Sequence, residues 1–257
     1  VIKVMTYNIR HGLGNAGSVD LERTAEAIRR QDPDIVAIQE VDRFWPRSGG
    51  IDQPKELSRV LGMEGIFAPN LVGPAEVPGQ VDSQYGVMLF TTLPIVQSRH
   101  ARFPTVEGWE QRGFLEVLIH PGSTGPILVI TTHLEVGHAG NIEESVRQRT
   151  EQASILADRV EAGSVPAIVL GDFNARHGDP ELSPLIRAES RLQDIWVATH
   201  PDAPGYTIPA MPGVSPDRRI DYILATRDFR VISAEVIDDD LTRRTSDHFP
   251  VVANLEI

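Results

Sequence analysis

The sequence predicts a mixed α/β (or α+β) fold built on a double sheet, and three observations lead there. Short β-branched runs recur from the first residues to the last, with helical stretches between them. Four such runs follow one another between residues 85 and 135, separated by Gly, Pro or polar turns, which suits an antiparallel meander. Apolar residues make up 41% of 257, enough for one sizeable core, and 23% charged residues argue against disorder. No repeat, low-complexity tract or linker divides the chain, so residues 1–257 are read as a single domain.

The elements follow in order. "VIKVMTYNIR" (1–10) alternates as a strand should. "DLERTAEAIRRQDPD" (20–34) is a helix, with Asp20 as its cap, Leu21, Ala25 and Ile28 as its apolar face and Pro33 beyond its end. "IVAIQE" (35–40) is a short strand, and Asp52 to Leu61 reads as a second helix. The four meander strands are 85–91, 95–103, 112–120 and 126–135. The longest helix spans 141–163 and stops at Gly163. "AIVLGD" follows as a strand, and 218–226, 229–238 and 249–257 close the chain as strands. The Pro- and Gly-rich stretches 70–84 and 200–217 read as long surface loops, which in compact domains are often functional.

Bulk properties narrow the function. A net charge of −12 argues against broad, non-specific nucleic-acid binding, which needs a basic surface. With no cysteine there is neither a disulfide nor a thiolate metal site. No run approaches the ~18 apolar residues of a membrane span. The chain opens at Val1 without an initiator Met, in keeping with a removed signal peptide or a few lost residues. Localisation therefore stays open between the cytoplasm and secretion after such removal, and a monomer is expected.

Polar residues at strand ends carry the chemistry. Asn8 interrupts the first strand, Glu40 ends the second, and His133 ends "ILVITTH". Asp172 and Asn174 follow "AIVL", Asp221 sits inside "RIDYIL", and Asp247 and His248 precede the last strand. Each alone has a plain explanation, since strand-end Asp and Asn are common turn formers. Six such places, however, can converge on one rim of two packed sheets. Asn8, Glu40 and Asp247 are oxygen donors suited to a hard divalent ion such as Mg²⁺ or Mn²⁺. His133 and His248 can move protons or touch phosphoryl oxygens. Asp221 could orient a catalytic His, Asp172 could deprotonate a water, and Asn174 could donate to a charged oxygen. The inventory fits metal-assisted attack of water on a phosphate ester.

"TYNIR", "QEVD", "TTHLE", "GDFNA", "RIDYIL" and "SDHFPV" occur in that order from about residue 4 to 252. Together they resemble the motifs of the endonuclease/exonuclease/phosphatase superfamily, the DNase I-like enzymes, and the stretch 41–63 resembles a bacterial subgroup of metal-dependent hydrolases. The resemblance implies a four-layer α-β-β-α sandwich of two mostly antiparallel sheets with flanking helices. It implies Glu40 as the most direct metal ligand, with Asn8 beside it and Asp247 as a further or water-mediated partner. Asp172 would activate the attacking water, Asn174 would hold the scissile phosphate, His248 would handle the proton with Asp221 behind it, and His133 would contact phosphate or protonate the leaving group. On this reading Asp172 and Asn174 share one face of an extended segment. Arg47, and more weakly Arg112, are candidates to grip an anionic substrate, because a guanidinium matches phosphate geometry. Arg47 lies just after the metal-side Glu with Ser48 and Asp52. "RTEQA" (149–153) is expected to make structural contacts. The expected activity is Mg²⁺-dependent hydrolysis of a small or lipid-linked phosphoester, with a nuclease as the alternative and a non-enzymatic scaffold disfavoured by the intact motifs.

Overall fold

The computed structural model describes residues 1–75, 79, 81–122 and 124–257. Twelve strands run through them: β1 (Ile2–Asn8), β2 (Ile35–Arg43), β3 (Glu64–Gly73), β4 (Ser83–Thr91), β5 (Ile95–Arg102), β6 (Gly113–Ile119), β7 (Ile127–His133), β8 (Ala167–Asp172), β9 (Leu192–Asp194), β10 (Asp221–Thr226), β11 (Arg230–Val236) and β12 (Val251–Glu256). The helices are α1 (Leu21–Arg29), α2 (Gln53–Leu61), α3 (Ile142–Glu161), α4 (Ser183–Ile186), α5 (Ile195–Thr199) and α6 (Thr242–Thr245). None is long and apolar enough to cross a membrane.

The strands form two six-stranded sheets, ordered β11-β12-β1-β2-β4-β3 and β5-β6-β7-β8-β10-β9. Each contains a single parallel pair, β1–β2 or β7–β8, among antiparallel neighbours. A parallel pair needs a long crossover, which α1 provides in the first sheet and α3 in the second. The period-2 alternation of side chains divides each strand between two cores. Val4, Ile35, Ala37 and Leu89 face Val117, Val129, Ile168 and Leu170 between the sheets. Met5, Tyr7, Val36 and Ile38 turn outward to Leu21, Ile28 and Leu57 of α1 and α2. Ile130 and Val169 turn outward to Ala153, Leu156 and Val160 of α3. The result is the α-β-β-α sandwich.

Most elements lie where the sequence indicates, with four corrections. The run at 83–91 does not begin a four-stranded meander: β4 sits between β2 and β3 in the first sheet, and only β5–β6–β7 are a meander. The expected loop 70–84 opens with a strand, since β3 extends to Gly73, while residues 76–78 and 80 lie outside the described residues. Pro69 hides β3 in the sequence, yet it is tolerated because β3 is an edge strand whose register shifts between Pro69 and Leu71. The helix at 141–163 ends at Glu161, two residues before Gly163. Asp52 is the cap of α2 and not its first turn, its side chain accepting from the Lys55 N–H.

The β7–β8 pairing is close enough to demand a glycine. At Gly171, φ +152°, an added Cβ would lie 2.0 Å from the Thr132 carbonyl oxygen. Gly171→Ala should cost more than about 4 kcal/mol or prevent folding. Denaturant unfolding of the variant checks this, and a loss below about 1 kcal/mol would show that the strands can separate freely.

Candidate functional site

The parallel pairs explain why the polar residues meet. Asn8 ends β1 and Glu40 lies late in β2, while His133 ends β7 and Asp172 ends β8. Antiparallel neighbours then begin where those strands end. Asp221 opens β10 opposite Asp172, and Asp247 and His248 lead into β12, whose Val251 pairs with Thr6. The two sheets bring these ends together, because the Asn8 amide Nδ2 donates 3.0 Å to Asp172 Oδ2 in one sheet and 3.0 Å to Glu40 Oε1 in the other.

Local backbone geometry aims two of these side chains. The β2–β4 register shifts between Ile38 and Val41, and Glu40 within that bulge has φ +59°. Asn174 has φ +49°, so Asp172 and Asn174 do not lie on one extended face as expected. The chain turns left-handed after β8. The Asn174 backbone N–H then donates to Asp172 Oδ1 at 2.9 Å, and its Nδ2 donates to the Leu134 carbonyl at 3.0 Å. Non-glycine residues adopt this conformation rarely, Asn more readily than most, and strained residues of this kind cluster at functional sites.

Asp172 is the hub. Besides Asn8 and Asn174, its Oδ2 lies 3.4 Å from His133 Nε2 and 3.8 Å from His248 Nε2. Burial, and then the charge of Asp221, push its carboxyl up to about 7. His248 Nδ1 lies 2.9 Å from Asp221 Oδ2. Burial opposes the charge on His248, but the charge and hydrogen bond of Asp221, with Asp172 and Asp247 adding to them, push it up to about 10. His133 moves the other way, pushed well below its ordinary value by burial and by the charge of Arg112. Burial would also raise Glu40, yet the neighbouring His11 and the Asn8 amide contribute to holding it well below the usual carboxylate range.

Two donor sets could hold a cation. Asp172, Asp221 and His248, all buried, bring ligand atoms within 4.8 Å of one another. The second set is Glu40, Asn8 and Asp247. Glu40 stays ionised with its side chain 24% exposed, and Asp247 lies at the rim, 3.7 Å from Arg10 Nε. The Asn8 amide oxygen accepts from the Arg10 N–H and would face an ion only if the amide turned over.

Arg47 and Arg112 lie in different surroundings. Arg47 is exposed and grips the fully buried Asp42 with two hydrogen bonds, of 2.8 and 2.7 Å. The rings of Trp45 and Tyr85 flank its guanidinium, so it is a fixed cation and not part of a solvated loop. Arg112 is buried behind His133. Arg149 pairs with buried Glu181, and Gln152 accepts from the Glu135 N–H, the structural contacts expected of that segment. Sequence reasoning missed His11, whose Nδ1 lies 3.9 Å from Glu40 Oε2. Only its nearness to Asn8 could have signalled it, because left-handed turns at Arg10 and His11 swing it back.

The His248–Asp221 pair yields a prediction. A histidine pKa raised by folding adds stability at low pH, full below about 6.5, that is lost as pH rises through about 10. Asp221→Asn should return His248 toward about 6.5, as NMR titration of the imidazole would record. A His248 titration unchanged by the substitution would show that the contact carries no charge coupling.

Comparison with known proteins gives a consistent picture. The model of the "Endonuclease/Exonuclease/phosphatase family" matches residues 5–248. A solved endonuclease/exonuclease/phosphatase from Beutenbergia cavernae is 31% identical with a TM-score of 0.82, covering 100% of this chain and 71% of that one. A mannosyl-6-phosphatase from Bacteroides thetaiotaomicron has the same fold at 20% identity and a TM-score of 0.77, with 100% of both chains covered. Among curated proteins, Nocturnin of Drosophila melanogaster is 28% identical over 164 residues, 60% of this chain. That match spans about a quarter of Nocturnin, 24% of its length.

Proposed function

We propose that this chain, which belongs to the endonuclease/exonuclease/phosphatase family of phosphoester hydrolases, is a Mg²⁺- or Mn²⁺-dependent phosphodiesterase or phosphatase acting on a small or lipid-linked phosphoester. The observation that carries this reading is the juxtaposition of an ionised Glu40 with Asp172, linked through Asn8, at one meeting of strand ends. It puts a site for positive charge next to a carboxylate able to take a proton.

Glu40 and Asp247 would hold the divalent ion with their hard oxygen donors, and Asn8 would join them with its own oxygen only where its amide turns over. Bound there, the ion would draw charge from a phosphoryl oxygen. The rest of the chemistry belongs to the chain. Asp172, raised toward neutrality, takes a proton from the attacking water as its oxygen bonds to phosphorus. The bond from phosphorus to the leaving oxygen breaks, and that oxygen takes the proton of His248, which Asp221 keeps charged. Asn174 lies beside them to donate to a phosphoryl oxygen.

Charge around the site favours a small substrate over a polynucleotide. Arg10 and Arg47 lie on the first-sheet side, and Arg176 and Arg218 line a separate cavity of about 300 Å³ on the second. These are scattered cations on a chain of net charge −12, not a continuous basic track. Arg47, pre-set by Asp42 and two rings, is the one we assign to a non-scissile anionic group.

Turnover of bis-p-nitrophenyl phosphate should stop with EDTA and return with Mg²⁺ or Mn²⁺. Glu40→Ala should abolish activity while the protein stays folded, and Asp172→Asn should lower kcat by roughly 10²–10⁴-fold. Full turnover by the metal-stripped protein would exclude this mechanism.

A further inference from the structure

We infer that Arg112 is a positioning residue for the proposed hydrolysis: its guanidinium, donating to Nδ1 of His133, fixes that ring as the neutral tautomer with its hydrogen on Nε2, directed at Asp172. The inference rests on the reading above for its catalytic consequence, but the tautomer follows from geometry alone. In the β6–β7 pairing Gly113 lies opposite His133, so Arg112 arrives beside the ring, and its Nη1 is 3.0 Å from Nδ1. A guanidinium has five N–H donors and no acceptor. Nδ1 must therefore be the lone-pair nitrogen, and the single ring hydrogen is on Nε2. Protonating Nδ1 would set two N–H groups head to head and put a second cation beside the first, with both side chains only 6% exposed.

The surroundings keep Arg112 in this role. Glu110 Oε1 forms an ion pair with the same Nη1 at 2.8 Å, and the fully buried Glu135 lies 3.9 Å from Nε. Both carboxylates stop at Arg112 and do not reach Nδ1. The groups facing the ring from other elements are Asp172, Glu40 and His248. The two histidines thus have opposite partners at the same atom. His248 Nδ1 meets a carboxylate and becomes a donor, whereas His133 Nδ1 meets a guanidinium and becomes an acceptor.

This divides their work. A neutral imidazole does not release its Nε2 hydrogen near neutral pH, and with Nδ1 occupied it cannot act as a base. His133 is therefore a fixed hydrogen-bond donor. The Nε2–Asp172 distance of 3.4 Å is long, so a phosphoryl oxygen entering the site can compete for that hydrogen. Leaving-group protonation falls to His248 alone.

Imidazole ¹⁵N NMR of the full wild-type chain tests the tautomer without any substitution. His133 should show the Nε2–H pattern and no titration between about pH 6 and about pH 9. A protonated Nδ1 or a charged ring would overturn the proposal. Failure to hydrolyse any phosphoester would instead sink the functional reading and leave the spectrum intact. Kinetics supply the second arm. Arg112→Gln should lower kcat on the order of 10–100-fold and add a loss of activity toward low pH, because His133 without the neighbouring cation is easier to protonate. Arg112→Lys, which keeps a charged donor, should recover the rate without that limb. A uniform fall at every pH in Arg112→Gln, with the His133 signals unmoved, would reduce Arg112 to a packing role and refute the inference.

Discussion

The site depends on one buried carboxylate held between two sheets. Asp172 ends a strand of the parallel pair of its sheet and takes a hydrogen bond from Asn8, which ends a strand of the parallel pair in the other. Such a group is costly to bury unless every lone pair finds a donor. Here Asn8 and the Asn174 N–H donate to it, and two imidazole edges lie 3.4 and 3.8 Å away, so this carboxylate is supported only when both sheets are packed with their strand ends level. The left-handed turn at Asn174 and the bulge at Glu40 serve the same arrangement. Each bends the backbone to place one polar group at the site.

Around that carboxylate the charges alternate. Glu40 is ionised beside Asn8, Asp221 holds the His248 cation, and Arg112 holds His133 neutral between two further acids. Removing one partner from such a buried pair costs about 3–5 kcal/mol, much of it the stranded charge. The layer behind the reacting groups is thus bound to the fold as tightly as the reacting groups themselves. The arginines at the rim answer to fewer constraints. Arg47 is the exception, because its removal would leave buried Asp42 without its hydrogen-bonding cation.

The sequence made the strand ends legible because apolar runs there stop abruptly at Asn, Glu, His or Asp. It also showed α1 with its Asp20 cap, since both signals are local. What it concealed is non-local or conformational. Pro69 disguises an edge strand, and nothing near residues 83–91 says which sheet β4 joins. The turn that takes Asn174 off the face of Asp172 depends on a single φ angle. Arg112 and His133 lie 21 residues apart and meet only through hairpin register. Its hydrogen-bond role therefore could not be read from residue types, which had suggested a grip on substrate. His11 escaped notice for the same reason, as its approach to Glu40 needs two left-handed residues in succession.

The central claim is that the hard-ion site is built on Glu40, while Asp172 and the hydrogen-bonded His248–Asp221 pair handle protons on either side of the reaction. Anomalous scattering from crystals soaked in Mn²⁺ separates the two most directly. The account predicts one strong peak within about 2.0–2.3 Å of a Glu40 carboxylate oxygen, with the His248–Asp221 hydrogen bond kept. A peak coordinated by Asp172, Asp221 and the His248 ring, with Glu40 bare, would contradict it.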